Sequence, residues 1–191
     1  MKQYVEARER TIQKIEEAYF SLYLEERKIT VRDICEKAGI HRSTFYFYYE
    51  TIEGVLKKIK ERLFELLVQT IEGEDRHKGD FRQIQINLRK MFAANRRYLV
   101  PLVLEQRGCK FAIQYREYSK ERMAEDIGLD YKTGNDVKND TANCVLSGLI
   151  ETMLYEMSSE IIPEEFTYLI GNGIISKGIR RTFNEDLNIK M

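Results

Sequence analysis

Residues 29–49 read Ile-Thr-Val-Arg-Asp-Ile-Cys-Glu-Lys-Ala-Gly-Ile-His-Arg-Ser-Thr-Phe-Tyr-Phe-Tyr-Tyr. This run predicts two short helices joined by a glycine turn. Thr30 has the side chain of an N-cap, and Asp33, three residues on, can return a bond to the cap backbone. Val31, Ile34, Cys35 and Ala38 recur at three- and four-residue spacing, so they share one apolar face. Gly39 is the first glycine of the chain and falls where that helix must stop, in the left-handed conformation that glycine enters without steric cost. Ile40 plugs the turn into the core, and His41 or Arg42 opens the second helix. There Phe45 and Tyr49, four residues apart, point inward, while Arg42 with Tyr46 and Ser43 with Phe47 project the other way.

A short helix with Arg, Ser and Tyr on its outward face is equipped for phosphates and base edges. In a helix-turn-helix the second helix is the one that enters the major groove of DNA. The run Ile-Thr-Val-Arg-Asp-Ile, then Ala-Gly-Ile-His-Arg-Ser-Thr-Phe-Tyr, follows a segment carrying Ile15, Ala18, Phe20 and Leu22. Over residues 10–60 it resembles the DNA-binding domain of the TetR family of bacterial regulators. The resemblance implies an all-α chain, with a three-helix helix-turn-helix domain over residues 1–50 and a helical ligand-sensing and dimerisation domain over 51–191. It further implies a dimeric, sequence-specific transcription regulator, usually a repressor, released from an inverted-repeat operator on double-stranded DNA by a small-molecule effector.

On this resemblance the expected DNA-binding residues are Thr30, Arg32, His41, Arg42, Ser43, Thr44, Tyr46, Phe47 and Tyr48. Tyr46 matches a phosphate contact of the family. Arg42 is open to two uses, a bidentate pair with guanine N7 and O6 or a grip on phosphate. Phe47 is equally open, to a thymine methyl or to packing on the first helix. Thr30 and Thr44 suit phosphate or backbone contacts, Thr30 also being the cap. The chain departs from the family pattern at three places. Ile52 stands where a phosphate-binding Lys is common, Tyr48 where a His is frequent, and Gly54 where Glu would complete a capping box with Thr51. A lost phosphate anchor lowers affinity and flattens its salt dependence.

Charge alone does not point to nucleic acid. Lys and Arg number 31 against 31 Asp and Glu, and residues 1–60 hold 12 basic against 10 acidic side chains, so the DNA expectation rests on the motif. Cys35, Cys109 and Cys144 are odd in number, widely spaced and set in apolar helical pattern, which predicts reduced core residues of a cytoplasmic protein. His41 and His77 are the two histidines, and no metal-ligand spacing joins them to the cysteines, so neither metal nor cofactor is expected. No nucleophile–base pair, glycine-rich phosphate loop or paired-carboxylate motif suggests an enzyme. No apolar run is long enough to span a membrane, and no amino-terminal hydrophobic segment suggests export.

Two prolines and no hairpin signals predict helices throughout. The first is expected over residues 6–27, with Ile12, Ile15, Tyr19 and Leu22 inward. Another is expected over 51–72, through Val55, Leu56, Ile59, Leu63, Leu66 and Leu67. Gly73 to Gly79 is a charged break. Asp80 then caps a helix reaching Asn95, a shorter one carries Tyr98, Leu102 and Leu104 with Pro101 near its first turn, and a longer one covers 109–127. After a polar loop at 128–134, the last two helices are expected over 136–158 and 164–184. Their apolar stripes include Val145, Leu146, Leu149, Met153, Leu154 and Met157, then Phe166, Leu169, Ile170, Ile174, Ile179 and Phe183.

Gly148, Gly171, Gly173 and Gly178 interrupt those stripes, each costing about 1 kcal/mol against Ala, and suit a close helix–helix approach. By the resemblance these two helices form the homodimer interface; tight packing inside one subunit is the alternative. Met91, Tyr98, Phe111, Tyr115, Tyr118 and Met153 are candidates to line an effector cavity, with Glu105 and Gln114 adding polar contacts. Ordinary core packing explains the same aromatic stripe. Two further readings stay open: a second domain that docks a partner protein, and a helical interaction protein without specific DNA binding.

Overall fold

The structure, a computed structural model, describes residues 2–73, 81–105, 109–126, 143–148, 150–151 and 154–155. Among these residues the backbone is helix and short turns, with no strand. In chain order the helices are α1 (Lys2–Leu24), α2 (Val31–Ala38), α3 (Arg42–Tyr48), α4 (Ile52–Ile71), α5 (Phe81–Ala94), α6 (Arg96–Leu99) and, after a π-helical turn at Val100–Leu104, α7 (Cys109–Asp126). Helical turns follow at residues 143–148, 150–151 and 154–155. The chain divides into two compact units, Met1–Glu65 and Leu66–Met191, with the division inside α4. The 128–134 loop, Met153 and the helix expected over 164–184 lie outside the described residues. Among the described residues no helix is long and apolar enough to cross a membrane.

In the first unit α1 packs on α2 and α2 on α3. Ile15, Tyr19 and Leu22 are buried on α1 as their spacing predicts, Ala18 is buried with them, Ile12 is only half-buried, and Ile34, Phe45, Val55 and Ile59 are fully enclosed around them. Helix α1 stops at Leu24, earlier than the expected 27. The amides of Glu25 and Glu26 donate to the carbonyls of Leu22 and Tyr23, at 3.1 and 3.3 Å, and Glu26 then turns left-handed at φ 54°. A non-glycine residue in that conformation gives no sequence signal.

The α2 cap forms in both directions. The Asp33 amide donates to Thr30 Oγ1 at 3.2 Å, and the Thr30 amide donates to Asp33 Oδ2 at 2.8 Å. At the other end Gly39 sits at φ 66°, ψ 42°, and the Ile40 amide donates to the Cys35 carbonyl at 3.0 Å. A Cβ at position 39 would meet nothing within 4 Å, so a side chain there meets only a backbone penalty. Gly39→Ala is therefore expected to destabilise the protein by about 1–2 kcal/mol, the cost of holding an L-residue left-handed. Gly39→Asn should cost less, since Asn enters that region more readily. Urea unfolding checks both; an unshifted midpoint for Gly39→Ala would show that the turn is not held left-handed.

Thr51 caps α4 through its hydroxyl, which accepts from the Gly54 amide at 3.1 Å; the return bond that a Glu at 54 would make is missing. Val55, Ile59, Leu63, Leu67 and Ile71, at a strict four-residue spacing, form the buried seam of α4, and Leu56 and Leu66 are half-buried at its edge.

In the second unit Ile84, Leu88, Met91 and Phe92 of α5 are buried, and the π turn packs on α7. The expected short helix splits here. Pro101 has no amide to bond the carbonyl one α-turn back, and the ladder slips to the wider spacing, with the Glu105 amide donating to the Val100 carbonyl at 3.0 Å. Arg116 of α7 donates through Nη1 to the Val103 carbonyl at 2.7 Å and ion-pairs with Glu151, tying the π turn to the 143–155 segment. Leu146, Ile150 and Leu154 are the buried stripe of that segment. Cys144 falls off the stripe and is exposed, which corrects the expectation that it is a core residue. Cys35 is buried; burial pushes its thiol above the ordinary value, with Arg42 acting the other way, as suits an inert reduced side chain.

Candidate nucleic-acid interface

Helix α3 has seven residues and two distinct faces. Phe45 is fully buried and Tyr49 nearly so, with ring centroids 5.9 Å apart, and Phe45 also meets the Tyr46 ring edge-on at 5.5 Å. On the opposite side Arg42 and Ser43 are exposed, Tyr46 is 56% exposed and Phe47 is 72% exposed. The outward quartet is thus displayed together. Thr44 and Tyr48 are half-buried at its edges, with Tyr48 edge-on to Phe47 at 5.0 Å. His41 is the exposed N-cap of α3, its carbonyl accepting from the Thr44 and Phe45 amides, and its side chain makes no capping bond.

The two residues placed on α2 have other partners. The Thr30 hydroxyl donates to Asp33 Oδ2 at 2.7 Å, a bond that holds the Asp33 carboxyl below its usual range, so capping occupies both its donors. Arg32 is exposed and pairs along the helix with Glu36 at 2.6 Å. A phosphate approaching the Thr30 hydroxyl would compete with Asp33, whereas the terminal nitrogens of Arg32 are not used by its pair with Glu36.

What aims α3 is a buried polar cluster that the sequence did not disclose. Glu16 of α1 is 6% exposed; its Oε1 accepts from the Tyr49 hydroxyl at 3.2 Å and its Oε2 from Arg62 Nη2 of α4 at 2.8 Å. One carboxylate therefore joins α1, the residue ending α3, and α4. Removing it takes one partner from a buried phenol and one from a cation. The Arg62 side chain is 39% exposed and can rehydrate, so the cost is below that of a fully buried pair. Glu16→Ala is expected to destabilise by about 2 kcal/mol and Tyr49→Phe by about 1. A double-mutant cycle in urea should show the two coupled; strictly additive losses would show that the bond contributes nothing.

Beside this cluster lies a cavity of about 420 Å³, lined by Arg8, Ile12 and Glu16 of α1, by Phe47, Tyr48 and Tyr49, and by Lys58 and Arg62 of α4. Arg8 and Lys58 are exposed and have no ion-pair partner among the described residues. Sequence reading missed this group because its members are dispersed. The available signal was Glu16 itself, a carboxylate flanking the apolar stripe of α1.

The candidate effector residues separate in the second unit. Met91, Tyr98, Phe111 and Tyr115 are buried, and Phe111 and Tyr115 touch with centroids 6.0 Å apart. Complete burial pushes the Tyr115 phenol well above its ordinary value. Tyr118 is half-buried and donates to Glu72 Oε1 at 2.7 Å, whereas Glu105 and Gln114 face solvent. Among the described residues no group of three or more His, Cys, Asp or Glu is placed to hold a metal ion. No protein-family model matches the chain, and neither the curated proteins nor the solved structures provide a match.

Proposed function

We propose that this chain is a dimeric, sequence-specific DNA-binding regulator of the TetR type, with α2, the Gly39 turn and α3 as its helix-turn-helix and residues after Leu66 as its sensing and dimerisation domain. The observation that carries the reading is α3. A seven-residue helix is pinned from below by Phe45 and Tyr49, while Arg42, Ser43, Tyr46 and Phe47 are left exposed on one face. A structural helix of that length has no need of two exposed aromatics beside an arginine, whereas a major-groove reader uses all three side-chain types. Pairing of two copies is supported by Gly148, which is exposed and whose Cβ would meet nothing within 4 Å among the described residues. That open position suits the close approach of a second chain, as the resemblance implies for this helix. A reader of inverted repeats needs such a partner. The protein is then a repressor displaced from DNA when an effector binds the state with the lower DNA affinity.

Selection of bound duplexes from a random double-stranded pool, at a fixed near-physiological salt, tests the reading. Enrichment of an inverted repeat is the expected result, and its half-site spacing gives the separation of the two heads. A folded sample that enriches no sequence would overturn it.

A further inference from the structure

The 420 Å³ cavity of the first unit is not explained by DNA reading or by packing. Its floor is the neutralised pair Glu16–Arg62. Its walls are apolar and aromatic, Ile12 and Tyr48, with the 72% exposed Phe47 at the rim. Two cations from different helices, Arg8 of α1 and Lys58 of α4, line the same space without a carboxylate partner among the described residues. Two uncompensated positive charges call for a ligand carrying close to two negative ones, and flat walls call for a ring. The volume falls in the range of small-molecule sites, about 300–1,000 Å³.

We propose that this notch binds an aromatic phosphate monoester of the mononucleotide class. A phosphate monoester carries about −1.5 to −2 charges at pH 7, which matches Arg8 and Lys58 together, whereas a carboxylate matches only one of them. Arg8 supplies the planar fork for two phosphate oxygens, Lys58 a point charge, and the base stacks against Phe47 and Tyr48. Phe47 and Tyr48 also end α3, so an occupied notch holds the outward face of that helix in one arrangement. Ligand and DNA then alter each other's affinity by the same factor. That coupling rests on the DNA-binding reading; occupancy of the notch does not.

Titration calorimetry of the full chain with adenosine 5′-monophosphate, without DNA, tests the site, with adenosine and inorganic phosphate as controls. The expected result is saturable binding of the nucleotide, at least about tenfold tighter than either control, with Arg8→Gln and Lys58→Gln each weakening it about tenfold. Phe47→Ser should weaken it as well. Arg8 and Lys58 are exposed and make no ion pair among the described residues, so these variants should keep the parent's circular dichroism and melting temperature. No heat at millimolar nucleotide would overturn the proposal, as would affinity unchanged in the Arg8→Gln/Lys58→Gln double variant. Phosphate binding as tightly as the nucleotide would remove the aromatic half of it. If instead the double variant loses DNA affinity with a shallower salt slope and the nucleotide does not bind, the notch belongs to the DNA backbone contact. Nucleotide binding in a protein that selects no DNA sequence would leave this site standing and remove only the regulator.

Discussion

Phe45→Ala is expected to cost about 3–5 kcal/mol of stability, the range for deleting a fully buried phenylalanine. Phe47→Ala, two positions along the same helix, should cost no more than about 0.5 kcal/mol. The contrast follows from burial: Phe45 is wholly enclosed and Phe47 is 72% exposed. It also follows from length. A helix of seven residues cannot hold itself, since isolated helices shorter than about 12–15 residues are marginal in water, so α3 exists because Phe45 and Tyr49 are anchored beneath it. Urea unfolding of the two variants checks the orientation of α3 directly. Equal losses, or the reverse order, would mean that the helix is turned over and that Phe47 is the anchor. Should Phe45→Ala not fold at all, Phe45→Leu is the milder form of the same test.

Much of this orientation was readable in the sequence, because every determinant is local. Thr30 and Asp33 lie three apart, Gly39 sits one residue beyond the last apolar position of α2, and Phe45 and Tyr49 are one turn apart. Such signals need no knowledge of what packs against them. The end of α1 was not readable for the opposite reason: Glu26 takes a left-handed conformation that its own side chain does not favour, so the surrounding fold imposes it. The π turn was half readable. Pro101 announces a broken ladder, but whether the helix stops, kinks or widens depends on its packing against α7.

The polar cluster under α3 was the least accessible part of the candidate site. Glu16 meets Tyr49 across 33 residues and Arg62 across 46, and no periodicity in one helix predicts a partner in another. The same distance hid the cationic notch, where Arg8 and Lys58 each look like an ordinary solvated charge. Cys144 shows how a small shift matters. Its described residues, 143–148, are helical, but the buried stripe runs through Leu146, Ile150 and Leu154, and the cysteine lands outside it.

If α3 reads DNA, its outward residues should divide by what they lose when truncated. Arg42→Ala removes a bidentate fork, and against a preferred duplex the loss should be about 1–3 kcal/mol, or roughly fivefold to 150-fold in affinity. Against a duplex altered at the contacted guanine the loss should be much smaller, because the wild-type fork gains little there. Tyr46→Phe removes only a hydroxyl that can donate to a phosphate, so it should weaken all duplexes alike, by several-fold. The salt dependence separates the cases once more. Tyr46 is neutral, displaces no counterion, and its loss should leave the slope of log affinity against log salt unchanged. A phosphate-gripping Arg42 would contribute about 0.9 to that slope. Binding titrations at several salt concentrations, on matched and altered duplexes, therefore give Arg42 two distinguishable outcomes. Uniform loss with a shallower slope assigns it to the backbone, and loss confined to the matched duplex assigns it to a base edge. No loss on any duplex, for either variant, would take α3 out of the groove altogether.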